Sequence, residues 1–559
     1  MPPARRVALA VALATVAVAA PARAAAPVRA AAPPPAARAG GAAVDLTACA
    51  TDRAADPAAV RPWRGCPAGF PMPVYGAARA RTPLPACAPV PGQNDRCETW
   101  SRTATQFGSV TGMVGSPKGD LLYVAGTGNR PDNGVTAITA AAFTSKGAPK
   151  WSVRAPTSLP TTATAVALSR DGRRLYVGGY VTMRPNLNSL PFDLYYLLAL
   201  DAANGRILWV GQYPGIGANV NRLFAIAVSP SGGQVYVTGT SQRPCSSCQI
   251  FPADWATVAY DSRNGKPLWN ARYGGAAGGQ NGGLALVVSP NGRNVYVTGF
   301  SERPTMQPTQ MFDFATASYQ ANDGAQVWVR RYASGDQDIP TGVAVSPRGD
   351  TVYVAGTGAD SGAGGASPFN YTAIAYAANG GLRWRSVYRD VAGTSNIMTA
   401  MALSPKGDRL VVTGQGQQQG SVLPGAAADG SAAYSTVSFA TSNGKRLWAA
   451  AFAPNKEPGA GTAVTINPAT GRVYVGGVLV NAAGLVAYVA TVAYAGKNGA
   501  QDWVARYDLR DPLSVGANVP RDIVADPHGK AVYQAATFAP LAAASGQVSS
   551  GALLLGFQP

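Results

Sequence analysis

From about residue 97 onward the apolar positions fall into short runs of strand length, each closed by a turn bearing glycine or proline. The clearest unit begins Phe224-Ala-Ile-Ala-Val-Ser-Pro-Ser-Gly and continues Gln234-Val-Tyr-Val-Thr-Gly239. After a loop come Asp254-Trp-Ala-Thr-Val-Ala-Tyr-Asp261, Asn264-Gly265 and Trp269-Asn-Ala-Arg-Tyr273. The first run is small and apolar, as a strand crowded near a common axis must be. Ser-Pro-x-Gly makes a tight turn, because proline presets φ and glycine accepts positive φ. The next two runs have the β-branched and aromatic content of buried strands, and Asn-Gly closes a hairpin. No 3.6-residue stripe of any length appears outside the first twenty residues, so the pattern predicts an all-β chain.

The unit recurs. Its tryptophan can be followed through Trp151, Trp209, Trp269, Trp328, Trp384, Trp448 and Trp503, and its second strand through Leu122-Tyr123-Val124 to Val473-Tyr474-Val475. These are seven full copies. An eighth is split: Asp522-Ile-Val-Ala, Ala531-Val-Tyr-Gln and Leu553-Leu-Leu-Gly-Phe557 supply three strands, while the missing tryptophan strand stands far upstream as Glu98-Thr-Trp100-Ser-Arg102. Four strands per repeat and a terminal strand borrowed from the other end predict an eight-bladed β-propeller over residues 97–559, closed without a free sheet edge. A seven-bladed ring with a loosely packed tail is the alternative.

Ahead of the repeats, residues 1–24 read as a signal peptide. Arg5 and Arg6 precede an apolar run too short to span a bilayer, and Ala22-Arg23-Ala24 supplies a cleavage pattern. Residues 25–43 read as an Ala/Pro-rich linker and 44–96 as an irregular, cysteine-bearing extension. The expected location is secreted, extracellular or in the cell envelope, and the expected state is a monomer with no transmembrane segment. Six cysteines suit an oxidising compartment. Cys49, Cys66, Cys87 and Cys97 allow three pairings between which the sequence does not choose. Cys245 and Cys248 are expected to staple their own loop. The formal net charge of +18 permits attraction to anionic cell-wall polymers, acidic polysaccharide or nucleic acid. The charges are dispersed through turns and form no long basic run, which argues against nucleic acid.

No catalytic set and no metal-ligand set stands out. The one histidine, His528, occupies a turn position held by Lys118, Ser231, Asn291, Arg348 and Lys406 in sister repeats, so it reads as a variable turn residue. The longer loops of a four-stranded blade gather on one rim, where a binding site is expected. Four consecutive blades carry Arg-Pro there, at Arg130, Arg184, Arg243 and Arg303, an arc able to hold carboxylate or phosphate. Asp193, Asp254 and Asp313, with Asn370, begin the third strands beside it. Each aspartate is expected to cap its own loop, the alternative being that they meet a cation or the arginines. Arg272, Arg331 and Arg506 are expected on the outer edge, where charge discourages edge pairing.

The run Leu200-Asp201-Ala-Ala-Asn-Gly-Arg-Ile-Leu-Trp209 resembles the tryptophan-docking motif of quinoprotein-like propellers, and the Ser-Pro-x-Gly-x-x-Val-Tyr-Val-x-Gly half resembles the YVTN-type repeats of exported bacterial proteins. The first resemblance implies eight blades and, in its enzymes, pyrroloquinoline quinone (PQQ) with calcium, an aspartate base, and glutamate and asparagine ligands at the axis. The adjacent-cysteine disulfide of that family has no counterpart here. The expected function is therefore an exported, non-catalytic binding scaffold without cofactor, using the long-loop face for an anionic glycan or an envelope protein. A PQQ-like quinone-dependent oxidoreductase and a structural envelope protein are the alternatives.

Overall fold

The computed structural model describes residues 98–558 except segments 185, 187–189, 217–219, 246–247, 249–250, 276–277, 304–310, 335–336, 360–368, 390–394, 418–431, 455–456, 481–484, 515–519 and 539–550. The leader, the linker and the extension with Cys49, Cys66, Cys87 and Cys97 lie outside the described residues.

Among the described residues, thirty-two strands form eight antiparallel sheets of four. Seven sheets are consecutive meanders, beginning with Ser109–Gly115, Leu121–Asn129, Thr136–Thr144 and Pro149–Arg154 in blade one. Blade three comprises Asn221–Val228, Gln234–Gln242, Ala253–Asp261 and Pro267–Tyr273. Blade eight is made of Pro520–Ala525, Val532–Phe538, Gly551–Phe557 and then Glu98–Ala104, which pairs antiparallel with Gly551–Phe557 from Glu98↔Phe557 to Ala104↔Ala552. The first strands of successive blades touch one another around the whole circle, so the eight-bladed ring is closed.

The core lies between blades. Third strands are buried on both faces, as in Ala253–Asp261, where all but the last residue are buried. This explains why they read as continuous apolar runs. The tryptophan of each outer strand lies over the turn glycine of the next blade, Trp269 over Gly324 and Trp209 over Gly265. A Cβ at Gly324 would come within 2.5 Å of the indole, and its φ of 76° is open only to glycine without strain. The indole N–H of Trp269 donates to Ala321 O at 2.9 Å, and Trp100 repeats the arrangement on Gly147 and Ser145 O. Trp503 differs. Strands three and four of blade eight come from distant parts of the chain, so no hairpin turn joins them, and the Trp503 N–H is buried without an acceptor.

Every first strand carries a bulge at one common place, as between Ala163 and Ala165 or Met398 and Ala400. The extra residue is Thr111, Thr164, Thr341, Thr399 or Thr462 in five blades. Four of these hydroxyls donate to the first strand of the following blade: Thr111 to Ala163 O, Thr164 to Leu223 O, Thr341 to Met398 O and Thr399 to Gly461 O. The inner edge of a blade has no strand partner, and this threonine belt satisfies part of it.

Candidate functional site

The two rims differ by construction. At one, Ser-Pro-x-Gly turns close on themselves, as in Gly232 N–H to Ser229 O at 2.8 Å, and the tryptophan-seating hairpins alternate with them. The other rim receives the connections from second to third strand and from blade to blade, and here the predicted arginines and aspartates meet.

In blade three Asp254 takes Arg243 Nε on one carboxylate oxygen and Arg272 Nε on the other, both at 3.0 Å. In blade four Asp313 takes Arg303 on one oxygen, with Nη2 at 2.5 Å, and Arg331 Nη2 on the other at 2.9 Å. In blade two Asp193 pairs with Arg222 of blade three at 2.6 Å, and Arg222 also lies over the Tyr180 ring at 4.8 Å. The aspartates therefore meet the arginines instead of serving mainly as caps of their own loops. The carboxylates are nearly out of solvent; in blade three Arg272 hydrogen-bonds Asp254 while Arg243 faces its other oxygen as an ion pair, and in blade four both arginines hydrogen-bond Asp313.

Two expectations are corrected here. Arg272, Arg331 and Arg506 do stand on the outer strands of their blades, but they do not serve as edge guards: each pairs with a carboxylate, Arg506 with Glu457 at 3.4 Å. The reason is register. Arg272 pairs with Ala256, two residues after Asp254, so its side chain lies along the same face as the aspartate. The arc of four arginines is also not uniformly open, since Arg243 and Arg303 are held by Asp254 and Asp313. Arg130 donates Nη2 to Ala155 O at 2.7 Å and to Thr157 O. The Cys245–Cys248 disulfide is present, in the second-to-third-strand loop of blade three on this rim.

A second layer of this rim was not foreseen. Asn221 opens blade three and donates to Asp193 O and Pro214 O, while accepting from Ser241 Oγ at 2.6 Å. Asn281 and Ser301 repeat it in blade four. Arg272 joins the layers by donating to Ser241 Oγ at 2.7 Å. Aligning the repeats by their first strands would have shown the Asn–Ser pair, since both recur at fixed positions.

At the axis the first strands contribute mostly Thr, Ala, Gly and Val. Their only carboxylate is Asp522, beside Arg521, which occupies the bulge position that threonine holds elsewhere. Asp522 Oδ2 accepts the edge N–H of Met113 at 3.0 Å and Oδ1 accepts Ile523 N–H at 2.9 Å. Desolvation raises Asp522 to about 6 in spite of these bonds, and it lowers Arg521, which solvent reaches but protein encloses on most sides. Calcium takes six to eight oxygens. A lone carboxylate already used by two backbone N–H groups does not fit a calcium-bound quinone, and among the described residues no three His, Cys, Asp or Glu gather to hold a metal.

The raised Asp522 has a measurable consequence. Its folded-state value lies above the ordinary 3.8, so between about pH 4 and 6 the folded protein binds more protons than the unfolded chain, and stability falls as pH rises through that window. Asp338, also pushed up to about 6 by burial, acts in the same direction. Asp522→Asn keeps an acceptor for Met113 N–H and is expected to raise Tm at pH 7.5 while leaving it unchanged at pH 4. Thermal unfolding at the two pH values checks this, and an equal effect at both would remove titration as the cause.

Residues 92–355 match the family model described as outer membrane protein assembly factor BamB. No curated protein matches the chain. Among solved structures, BamB of Moraxella catarrhalis is 14% identical with a TM-score of 0.43, covering 83% of this chain and 99% of its own. The quinohemoprotein alcohol dehydrogenase of Comamonas testosteroni is 13% identical with a TM-score of 0.48, covering 82% and 76%. Hydrazine synthase of Kuenenia stuttgartiensis is 17% identical with a TM-score of 0.39, covering 68% and 94%. Among the described residues no helix is long and apolar enough to cross a membrane. The chain is an eight-bladed β-propeller whose residues 92–355 resemble the repeats of that PQQ-like family.

Proposed function

We propose that the protein is an exported, non-catalytic scaffold that binds a protein of the cell envelope through its long-loop rim. The observation that carries this reading is the division of labour between the rims. One repeats a self-bonded turn from blade to blade, whereas the other holds the variable loops and the Arg–Asp clamps of blades two to four. Loops held on a rigid frame are where recognition concentrates. The matching family is described as an assembly factor for outer membrane proteins, which favours a protein partner over a small molecule. The basic composition favours an acidic face on that partner.

Thermal unfolding of the chain against a ligand panel tests the reading: a short polyglutamate peptide, an acidic polysaccharide, DNA, a neutral sugar, and pyrroloquinoline quinone with Ca²⁺. A ligand present at a hundred times its Kd adds about 2.7 kcal/mol. The expected result is a salt-sensitive rise in Tm with the acidic peptide and none with the quinone. A rise with quinone and Ca²⁺ alone would replace the scaffold with an oxidoreductase, and a rise with the polysaccharide alone would replace the protein partner with a glycan.

A further inference from the structure

Basic residues that the sequence scatters through its turns are gathered by the fold, because both kinds of tight turn end on one rim. Lys118 and Lys406 occupy Ser-Pro-x-Gly turns, and Lys530 follows the glycine of the equivalent turn in blade eight. Lys146, Lys266, Lys445 and Lys497 lie in the tryptophan-seating hairpins, and Lys150 directly precedes Trp151. These are all the lysines among the described residues, and every one is exposed. None of them stands on the long-loop rim. All but Lys266 fall in four consecutive blades: six, seven, eight and one.

The aspartates of this arc do not neutralise the lysines. Asp408 pairs with Arg409 at 3.0 Å and Asp502 with Arg472 at 2.9 Å. Asp120 and Asp526 are bonded within their own turns, Asp120 to Ser116 Oγ at 2.6 Å and Asp526 to the His528 N–H at 2.7 Å. No ion pair among the described residues includes a lysine. These last two carboxylates stand against seven lysines, so the arc keeps a strong positive charge. The border of the same face also exposes large apolar side chains. Leu268, Val327, Leu382 and Leu447 are exposed within the first two residues of the outer strands of blades three to six, each next to its hairpin. Leu268 and Leu447 stand two residues after Lys266 and Lys445. Charge alone would serve a soluble polyanion. Leucine beside lysine has an added use only where an apolar layer lies behind the charges.

We infer that the tight-turn rim docks on an anionic phospholipid surface, its lysine arc meeting the headgroup phosphates and the bordering leucines entering the interface beside them. The arc runs along half of the ring, which suits an extended charged plane. Lysine is the fitting cation, because its ammonium is a compact point charge that needs no planar, bidentate partner. The guanidinium groups of the long-loop rim, by contrast, are held by fixed carboxylates. Each lysine close to an anionic leaflet strengthens partitioning about fivefold, an effect that fades beyond about 8–10 Å at moderate salt. Docking by this rim leaves the long loops facing away from the lipid, so it does not depend on what those loops bind.

Co-sedimentation of the full chain with two sets of vesicles tests the face. One set is pure phosphatidylcholine, and the other contains about one third phosphatidylglycerol. The expected result is a preference for the second set that disappears in about 0.5 M salt. The combined variant Lys406→Gln, Lys445→Gln, Lys497→Gln and Lys530→Gln is expected to weaken that binding about a hundredfold or more. Its Tm should not change, since all four positions are exposed in turns. Arginine at the same four positions is expected to keep the binding, and Leu447→Ser to weaken it severalfold in low salt. Every variant shares residues 1–97, so any pull of the apolar leader is common to them all. Equal binding by the wild type and the glutamine variant would remove this face from lipid contact, as would equal binding to the two vesicle sets. Leu447→Ser binding as tightly as the wild type would overturn the apolar contact. Capture of a soluble acidic polysaccharide without any vesicle binding, lost in the glutamine variant, would replace the lipid with a soluble polyanion.

Discussion

A chain beginning at Thr105 is expected to be less stable than one beginning at Glu98 by far more than any single substitution removes. The segment between them is the closing strand of blade eight. Without it, Gly551–Phe557 becomes an exposed edge whose Leu553, Leu554 and Leu555 are each no more than 1% exposed in the closed ring. The tryptophan seat between blades eight and one is lost as well, including the Trp100 N–H to Ser145 O bond at 2.9 Å. Removing one large core aromatic costs about 3–5 kcal/mol, and here a whole hydrogen-bonded strand leaves with it. The free edge is also a template for pairing with another chain. Calorimetry should show a Tm lowered by well over 10 °C or a loss of cooperativity, with self-association at high protein concentration. A peptide of residues 98–104 added in trans should restore part of the loss. An unchanged Tm would mean that the ring is held by its first strands alone.

The second large effect is expected from Asp254→Ala. This carboxylate is clamped by Arg243 and Arg272, whose side chains are 34% and 16% exposed, and its own side chain is 8% exposed. Removing one partner of a buried pair costs more than the pair contributes, because the remaining charge is left poorly solvated. Discounted for the part of Arg243 that water reaches, the expected cost is about 2–3 kcal/mol. Arg272 would also lose the anchor that lets it hold Ser241, so the damage should spread to Asn221 at the entry of the blade. Denaturant unfolding should show a lower midpoint with an unchanged slope. The double variant Asp254→Ala/Arg272→Ala should cost less than the sum of the two singles. Additive costs would show that the clamp is not a unit.

The sequence by itself determined the ring. Turn chemistry at Ser-Pro-x-Gly and Asn-Gly, the recurring tryptophan and the continuous apolar third strands are local signals. Each is imposed by the same physical demand from blade to blade: a strand buried on both faces must be apolar, and an indole seated on the next blade's hairpin needs a glycine beneath it, Trp503 excepted. Even the split blade was legible, because Trp100 stood upstream without a repeat of its own. The pairings at the long-loop rim were not legible. Which arginine meets which aspartate depends on cross-strand register and on side-chain direction, and neither is visible from residue type. Arg272 looked like an edge guard until its register with Ala256 aimed it at Asp254. The threonine belt and the isolated Asp522 depend on bulges that only the folded ring displays. Periodic burial writes itself into a sequence, whereas the meeting of charges from separate strands is decided when the sheet closes.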